Sequence, residues 1–208
     1  ADAFFVAFRI PNTFRRLFAE GSFNSAFVPQ YSKLDIQKKA FEFANSVFNL
    51  LIFFLLVLVC VAEVFMGGVI YIISPGFIEN TEKYNLAVTL SRIAFPFLLF
   101  VSLSSFYSAI LNTKGRFAVA AAAPIILNLL LIASIFYAKF FDKELVYFMA
   151  WAVTLAGILQ LIMLAIYAKK YFVPKISFNF KISPEVKHFF KRLLPSIFSS
   201  GVMQINIL

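Results

Sequence analysis

Five ionisable side chains lie within the first thirty residues, in a segment that is otherwise apolar enough to be buried in a membrane. They are Asp2, Arg9, Arg15, Arg16 and Glu20. A charge near the bilayer centre costs about 2.5–3.5 kcal/mol on insertion scales, so such a segment does not face lipid around its whole circumference. We expect a helix whose charged side lines a polar cavity between helices.

The spacing of these charges suggests binding of an anion. On an ideal helix four of them fall within about 40° of one another: Asp2, Arg9, Arg16 and Glu20. Arg15 lies elsewhere on the helix unless a break at Pro11 changes the phase. Arginine donates paired hydrogen bonds that suit phosphate, so one hypothesis is a phosphate-binding face. The alternative is an Arg16–Glu20 helix pair, with arginine side chains extending to the membrane interface.

Composition defines the class of protein. The chain of 208 residues is 62% hydrophobic and 14% charged, with a mean hydropathy of +0.87. Soluble domains are closer to half apolar and one quarter charged. In a bilayer only helices and closed barrels satisfy the backbone. The apolar runs are continuous rather than alternating over about ten residues, which excludes a barrel. The predicted fold class is all-α, a polytopic transmembrane helical bundle.

The apolar runs predict five membrane spans and the start of a sixth. We place the five at about 3–30, 43–73, 93–111, 117–137 and 145–168, with Pro11 kinking or interrupting the first. A basic connector, 169–192, precedes a further span that begins near Leu193. The chain starts without an initiator methionine and ends inside an apolar run, so we expect a fragment of a longer transporter.

The distribution of lysine and arginine predicts the orientation. Three segments, 31–42, 112–116 and 169–192, together hold twelve of these residues, and the alternate loops hold four. The positive-inside rule therefore places the three segments in the cytoplasm and residue 1 on the outer side. The net charge of +9 fits such loops, and we expect no nucleic-acid partner.

No arrangement typical of an enzyme, a cofactor site or a metal site is present in the sequence. Cys60 lies alone in an apolar run and is expected to be a small buried hydrophobic residue. Glu63 is a second candidate for a polar cavity, although an interfacial carboxylate explains it as well.

Several segments carry a family resemblance. The stretch DAFFVAFRIPNTFRRLFAEGSFNSAFVP (2–29) closely resembles the MurJ/MviN family, the lipid II flippases of bacterial peptidoglycan synthesis. It has the family's Asp-Ala-Phe, Pro-Asn, Arg-Arg, Ala-Glu-Gly and Ala-Phe-x-Pro elements. Further matches are SPGF (74–77), FPFLLFVSL (95–103), AILNTKGRFAVAAAAPIILN (109–128) and AWAVTLAGILQL (150–161).

The resemblance implies an architecture. The family belongs to the multidrug/oligosaccharidyl-lipid/polysaccharide exporter superfamily, with two helical lobes around a central cavity and alternating access. Residues 1–192 would be most of the N-terminal transmembrane lobe, without its first helix, and 193–208 the start of the next helix. The location would be the bacterial cytoplasmic (inner) membrane.

The resemblance also implies a function and a substrate site. The cargo would be lipid II, undecaprenyl-pyrophosphate-linked disaccharide-peptide, with membrane lipids and cell-wall synthesis proteins as further partners. The family's cavity-facing arginine matches Arg15, whereas ideal-helix geometry prefers Arg16, and we follow the resemblance. Arg15, with Arg9 and Arg16, would attract the pyrophosphate, and Asp2 and Glu20 would orient or neutralise these arginines.

Two other functions fit the same residues. One is export of another polyprenyl-linked glycan or of a drug, although a drug exporter should have a more acidic cavity. The other is a non-transporting membrane scaffold for cell-wall synthesis, which predicts that Arg15→Ala is harmless.

Overall fold

The computed structural model describes residues 2–17, 23–34, 36–77, 79–141, 144–177 and 182–205. Within these ranges the regular elements are helices, which confirms the all-α prediction. They are α1 (Asp2–Leu17), α2 (Phe23–Ser32), α3 (Gln37–Val64), α4 (Met66–Ile73), α5 (Thr81–Ala94), α6 (Phe97–Thr113), α7 (Phe117–Phe140), α8 (Leu145–Ala168) and α9 (Pro184–Ile205), with a 3₁₀ turn at Pro75–Phe77.

Four of the described helical stretches are long and apolar enough to cross a membrane, and they make the chain a multi-pass membrane protein. These stretches are Gln37–Val64, Thr81–Thr113, Phe117–Phe140 and Leu145–Ala168. The second joins α5 to α6 through Phe95 and Pro96. Its helix starts well before the expected position near residue 93, because the Asn80 side chain accepts a hydrogen bond from the Lys83 N–H at 3.0 Å and caps it.

Pro11 does not interrupt the first predicted segment, whereas the second predicted segment is divided. Helix α1 continues through Pro11 to Leu17, since a proline removes a single helical hydrogen bond and neighbouring helices can compensate. The stretch 43–73 breaks at Phe65, between α3 and α4. The α9 helix begins at Pro184 and runs without interruption across the expected boundary at 192–193.

Helix α6 forms the centre of the bundle. Most of its residues are buried, and it packs against α8, α3 and α2. Gly157 allows α8 to lie close against α6, because a Cβ at this position would be only 2.8 Å from Cδ2 of Phe97. The Thr154 hydroxyl donates to the Ile93 carbonyl and joins α8 to α5.

The outer faces of α3 and α7 are apolar and exposed, as expected of surfaces that contact lipid. Examples are Phe54 and Val61 on α3, and Leu129 and Phe136 on α7. Cys60 is also exposed, so the expectation that it is buried was wrong. Val57 and Val61 on the same helix are exposed as well, so Cys60 belongs to the apolar outer face of α3.

The three basic segments meet at one end of the bundle, as the predicted topology requires. One cleft there is lined by residues of all three, among them Leu34, Thr113 and Lys170. The Lys114 ammonium lies 5.7 Å from the centre of the Tyr31 ring, and the ring of Phe41 lies 5.5 Å from that of Phe172.

Candidate functional site

The predicted charged residues divide between two sides of α1. Asp2 and Arg9 are exposed, and they share one side of the helix. The opposite side is buried and is formed by Ala3, Phe4, Ala7 and Pro11. This side packs against α5 and α6. The first two charges therefore do not face the interior of the lobe.

Arg15 belongs to the buried side. At 100° per residue it lies about 40° from Pro11, whereas Arg9 lies about 160° from it. Its side chain is partly buried, and its Nε donates to Oδ1 of Asn12 at 3.1 Å. Arg15 and Arg9 thus lie about 120° apart around the same helix.

The remaining two predicted site residues cannot be placed in the same way. The backbone of Arg16 is part of α1, but its side chain lies outside the described residues. Glu20 also lies outside them. Which of Arg15 and Arg16 faces the central substrate cavity of the transporter therefore stays a prediction.

Arg15 lines a cavity of about 80 Å³ between three other helices. Its walls come from α6, α7 and α8, and its lining includes Ser104, Ser105, Ser108, Ala123 and Gln160. The α7 wall contributes Ala120, Ala123 and Pro124, whose small volume leaves the space open.

Two deeply buried polar groups in this cavity have no hydrogen-bond partner within the described structure. Ser104 and Gln160 are each 3% exposed. The unpartnered atoms are Oγ of Ser104 and Nε2 of Gln160. The neighbouring Ser105 hydroxyl, by contrast, donates to the Val101 carbonyl at 2.9 Å. The cavity therefore presents a cationic side chain and at least two unused hydrogen-bonding groups.

Sequence reasoning missed Ser104 and Gln160. Both lie in long apolar spans, and a polar residue in such a span is itself a signal of a functional position. Their spans were used only to define helices. Only the packing of α6 against α8 shows that the two residues share one cavity with Arg15.

Glu63 occupies a different part of the molecule. Its side chain is partly buried on α3, and its Oε1 has no hydrogen-bond partner within the described structure. The positively charged guanidinium of Arg92, on α5, attracts the Glu63 carboxylate electrostatically. Neither residue lines the cavity beside Arg15.

Comparison with known proteins gives one consistent family. A family model described as lipid II flippase MurJ matches residues 1–208. A probable lipid II flippase MurJ of Rhizobium tropici is 38% identical over 216 aligned residues, which cover 100% of this chain and 40% of the relative. A lipid II flippase MurJ of Burkholderia cenocepacia is 37% identical, and the alignment covers 100% of this chain and 42% of that relative.

A solved structure agrees with the sequence relatives. The structure of a lipid II flippase MurJ in an inward closed conformation superposes with a TM-score of 0.80 at 28% identity, over 99% of this chain and 42% of that one. The chain thus spans about two fifths of the length of the relatives it matches. Because the family model covers every residue and the identities exceed 30% over the whole chain, the chain belongs to the lipid II flippase MurJ family.

Proposed function

We propose that the full-length protein carrying this chain is a lipid II flippase of the bacterial cytoplasmic membrane. It moves undecaprenyl-pyrophosphate-linked disaccharide-peptide from the inner to the outer leaflet by alternating access, and it is a transporter rather than an enzyme. The observation that carries the proposal is the family match over residues 1–208. The fold supports it, since the same helices superpose on a solved flippase.

The chain supplies one lobe of the transporter in this proposal. Residues 1–192 form most of the N-terminal lobe, without its first helix, and α9 leads from the basic connector into the following span. The connector and the two other basic segments face the cytoplasm, which agrees with their meeting at one end of the bundle. Cell-wall synthesis proteins are further partners in the same proposal.

Two arginines of α1 take different parts in recognising the lipid pyrophosphate. Arg9 is exposed, so its guanidinium is free to reach a ligand from the open side of the helix. Arg15 is partly buried and anchored to Asn12, and it adds positive charge at the lobe wall. Arg16 provides a third donor beside Arg15. Asp2 and Glu20 balance these charges when no lipid is bound.

The test is complementation of a flippase-depleted bacterium by the full-length protein. Arg15→Ala and Arg9→Ala should each lower the amount of lipid II accessible at the outer leaflet, because each removes charge-assisted hydrogen bonds to phosphate. Lys139→Ala, which removes an exposed cation at the end of α7, is the matched control and should transport normally. Normal translocation by Arg15→Ala at normal protein levels would overturn the assignment and favour a scaffold.

A further inference from the structure

We infer that a cleft between α3 and the start of α9 binds one phospholipid whose headgroup carries both a phosphate and a primary ammonium group, such as phosphatidylethanolamine. The phosphate contacts Lys39, the ammonium lies between Glu42 and Glu185, and the acyl chains follow the apolar face of α3. This lipid is bound and not transported, so the inference goes beyond the proposed flippase activity.

The cleft opens at the end of the bundle where the three basic segments meet. It shares Leu34 and Phe41 with the neighbouring cleft beside Lys170. Its volume is about 590 Å³, within the ~300–1,000 Å³ of typical small-molecule sites. The hydrogen bonds of Asn45 and Asn49 with the connector hold two of its walls together. The cleft is therefore a built space that is large enough for a lipid headgroup.

Charges of both signs line this cleft. The three basic segments hold twelve lysines and arginines but three acidic residues, Asp35, Glu42 and Glu185. Two of these three, Glu42 and Glu185, line the one cleft from two different helices. Lys39 lines it as well, and it lies close enough to Glu185 to act on that carboxylate electrostatically. The cleft therefore suits a ligand that is negative at one point and positive at another.

The arrangement of these charges selects a headgroup. Lys39 and Glu42 lie three positions apart on α3, so their Cβ atoms are about 5–6 Å apart, and both side chains are exposed. Two carbons separate the phosphate from the ammonium in an ethanolamine headgroup, so one lipid can reach both residues. A primary ammonium donates three hydrogen bonds. The methylated ammonium of choline donates none, and a glycerol headgroup offers no positive charge to the carboxylates.

Helix α3 continues the same face into the membrane as an apolar surface. At 100° per residue, five positions fall within about 60° of one another: Lys39, Glu42, Phe53, Val57 and Val64. The last three are exposed. Phe53 and Val57 follow Glu42 by about 16 and 22 Å along the helix axis, a depth that the acyl chains of one leaflet reach in a hydrocarbon core about 30 Å thick. A headgroup in the cleft thus places its acyl chains against apolar side chains.

Native mass spectrometry of the delipidated full-length protein in detergent measures the binding of phosphatidylethanolamine, phosphatidylcholine and phosphatidylglycerol with the same acyl chains. Wild type should bind one phosphatidylethanolamine about tenfold more tightly than either of the others, because its headgroup alone makes hydrogen bonds to the charged groups on both sides. Lys39→Gln should lower the affinity for phosphatidylethanolamine about tenfold. In the double variant Glu42→Gln with Glu185→Gln, the preference should change to phosphatidylglycerol, because the carboxylates that repel an anionic headgroup are gone.

Glu144→Gln and Lys139→Gln are the matched controls, because they neutralise exposed charged residues that do not line the cleft. Both should bind the three lipids as wild type does, and unfolding temperatures verify that each variant is folded. Four results would overturn the inference: equal affinity of wild type for the three lipids, a wild-type preference for phosphatidylglycerol, an unchanged preference in the double variant, or an equal loss in either control. Because binding is read without transport, failure of this site leaves the flippase proposal to its own test.

Discussion

The side chain of Asn49 binds the backbone of Lys175, 126 positions away in the sequence: Nδ2 donates to the Lys175 carbonyl at 3.0 Å. The Ser177 N–H donates back to Oδ1 of Asn49 at 3.3 Å. One turn earlier on α3, Oδ1 of Asn45 accepts from the Lys175 N–H at 2.7 Å. Two asparagines on one face of α3 therefore fix the path of the connector between α8 and α9.

We predict that Asn49→Ala releases the connector. The substitution removes two hydrogen bonds that together contribute about 1–3 kcal/mol, so the detached form should become about tenfold more populated. Trypsin cleavage after Lys175, which is exposed, measures this population in the full-length protein. Asn85→Ala, at an exposed asparagine of α5, should leave the cleavage rate unchanged. Equal rates for Asn49→Ala and wild type would show that these bonds do not hold the connector.

The contact between α6 and α8 depends on the absence of a side chain at Gly157. A Cβ there would lie 2.8 Å from Cδ2 of Phe97 and 3.0 Å from Cβ of Phe100, and Phe97 is fully buried. Gly157→Ala should therefore destabilise the protein by about 1–3 kcal/mol through overpacking. Gly68→Ala is the control, because a Cβ there meets nothing within 4 Å. Thermal unfolding in detergent should show a lower midpoint for the first variant only.

A side-chain hydrogen bond joins the short helix α4 to α5, the helix that begins the next membrane-spanning stretch. The Tyr84 hydroxyl donates to the Gly67 carbonyl at 2.8 Å. Tyr84→Phe should lower the unfolding free energy by about 1 kcal/mol, since it removes one hydrogen bond and little volume. Tyr71→Phe changes an exposed tyrosine of α4 and should have no measurable effect. An equal loss of stability in both variants would contradict the assigned role of Tyr84.

Much of the fold was predictable because a long apolar run in a bilayer must form a helix, and the thickness of the bilayer sets the length of that helix. The position of Arg15 could also be inferred from the local sequence. Ala3, Ala7, Pro11 and Arg15 are spaced by four and form one stripe on α1, of which the first three are buried. The helical-wheel argument grouped the charged residues rather than the apolar ones. It therefore favoured the exposed side of α1, which carries Asp2 and Arg9.

Other features had no local signal. The asparagines at 45 and 49 bind a segment that is close only after the bundle has formed, and no pattern around either residue points to it. The same applies to the cavity, because Ser104 and Gln160 become neighbours through the packing of α6 on α8. The sequence could have identified Ser104 and Gln160 as candidates, because they are polar residues inside apolar spans. It could not have shown that the two line the same cavity.

The start of α9 provides a prediction about pH. Ser183 precedes Pro184 at the first helical position, and its Oγ accepts from the Val186 N–H at 3.4 Å, an arrangement that favours helix initiation. The Ser183 hydroxyl also hydrogen-bonds the Glu185 carboxylate, which, with the helix backbone, holds the pKa of Glu185 below its ordinary value.

Because the folded pKa is lowered, this contact stabilises α9 at neutral pH, and the stabilisation fades as the pH falls from about 4.3 towards the lower folded pKa. Ser183→Ala should raise the pKa of Glu185 towards its ordinary value, measured by carbon NMR of labelled glutamate carboxyl groups and assigned with Glu185→Gln. It should also cost about 1 kcal/mol through the lost cap. Ser74→Ala, before the 3₁₀ turn, should change neither quantity. A Glu185 pKa that stays low in Ser183→Ala would assign the shift to the helix backbone instead.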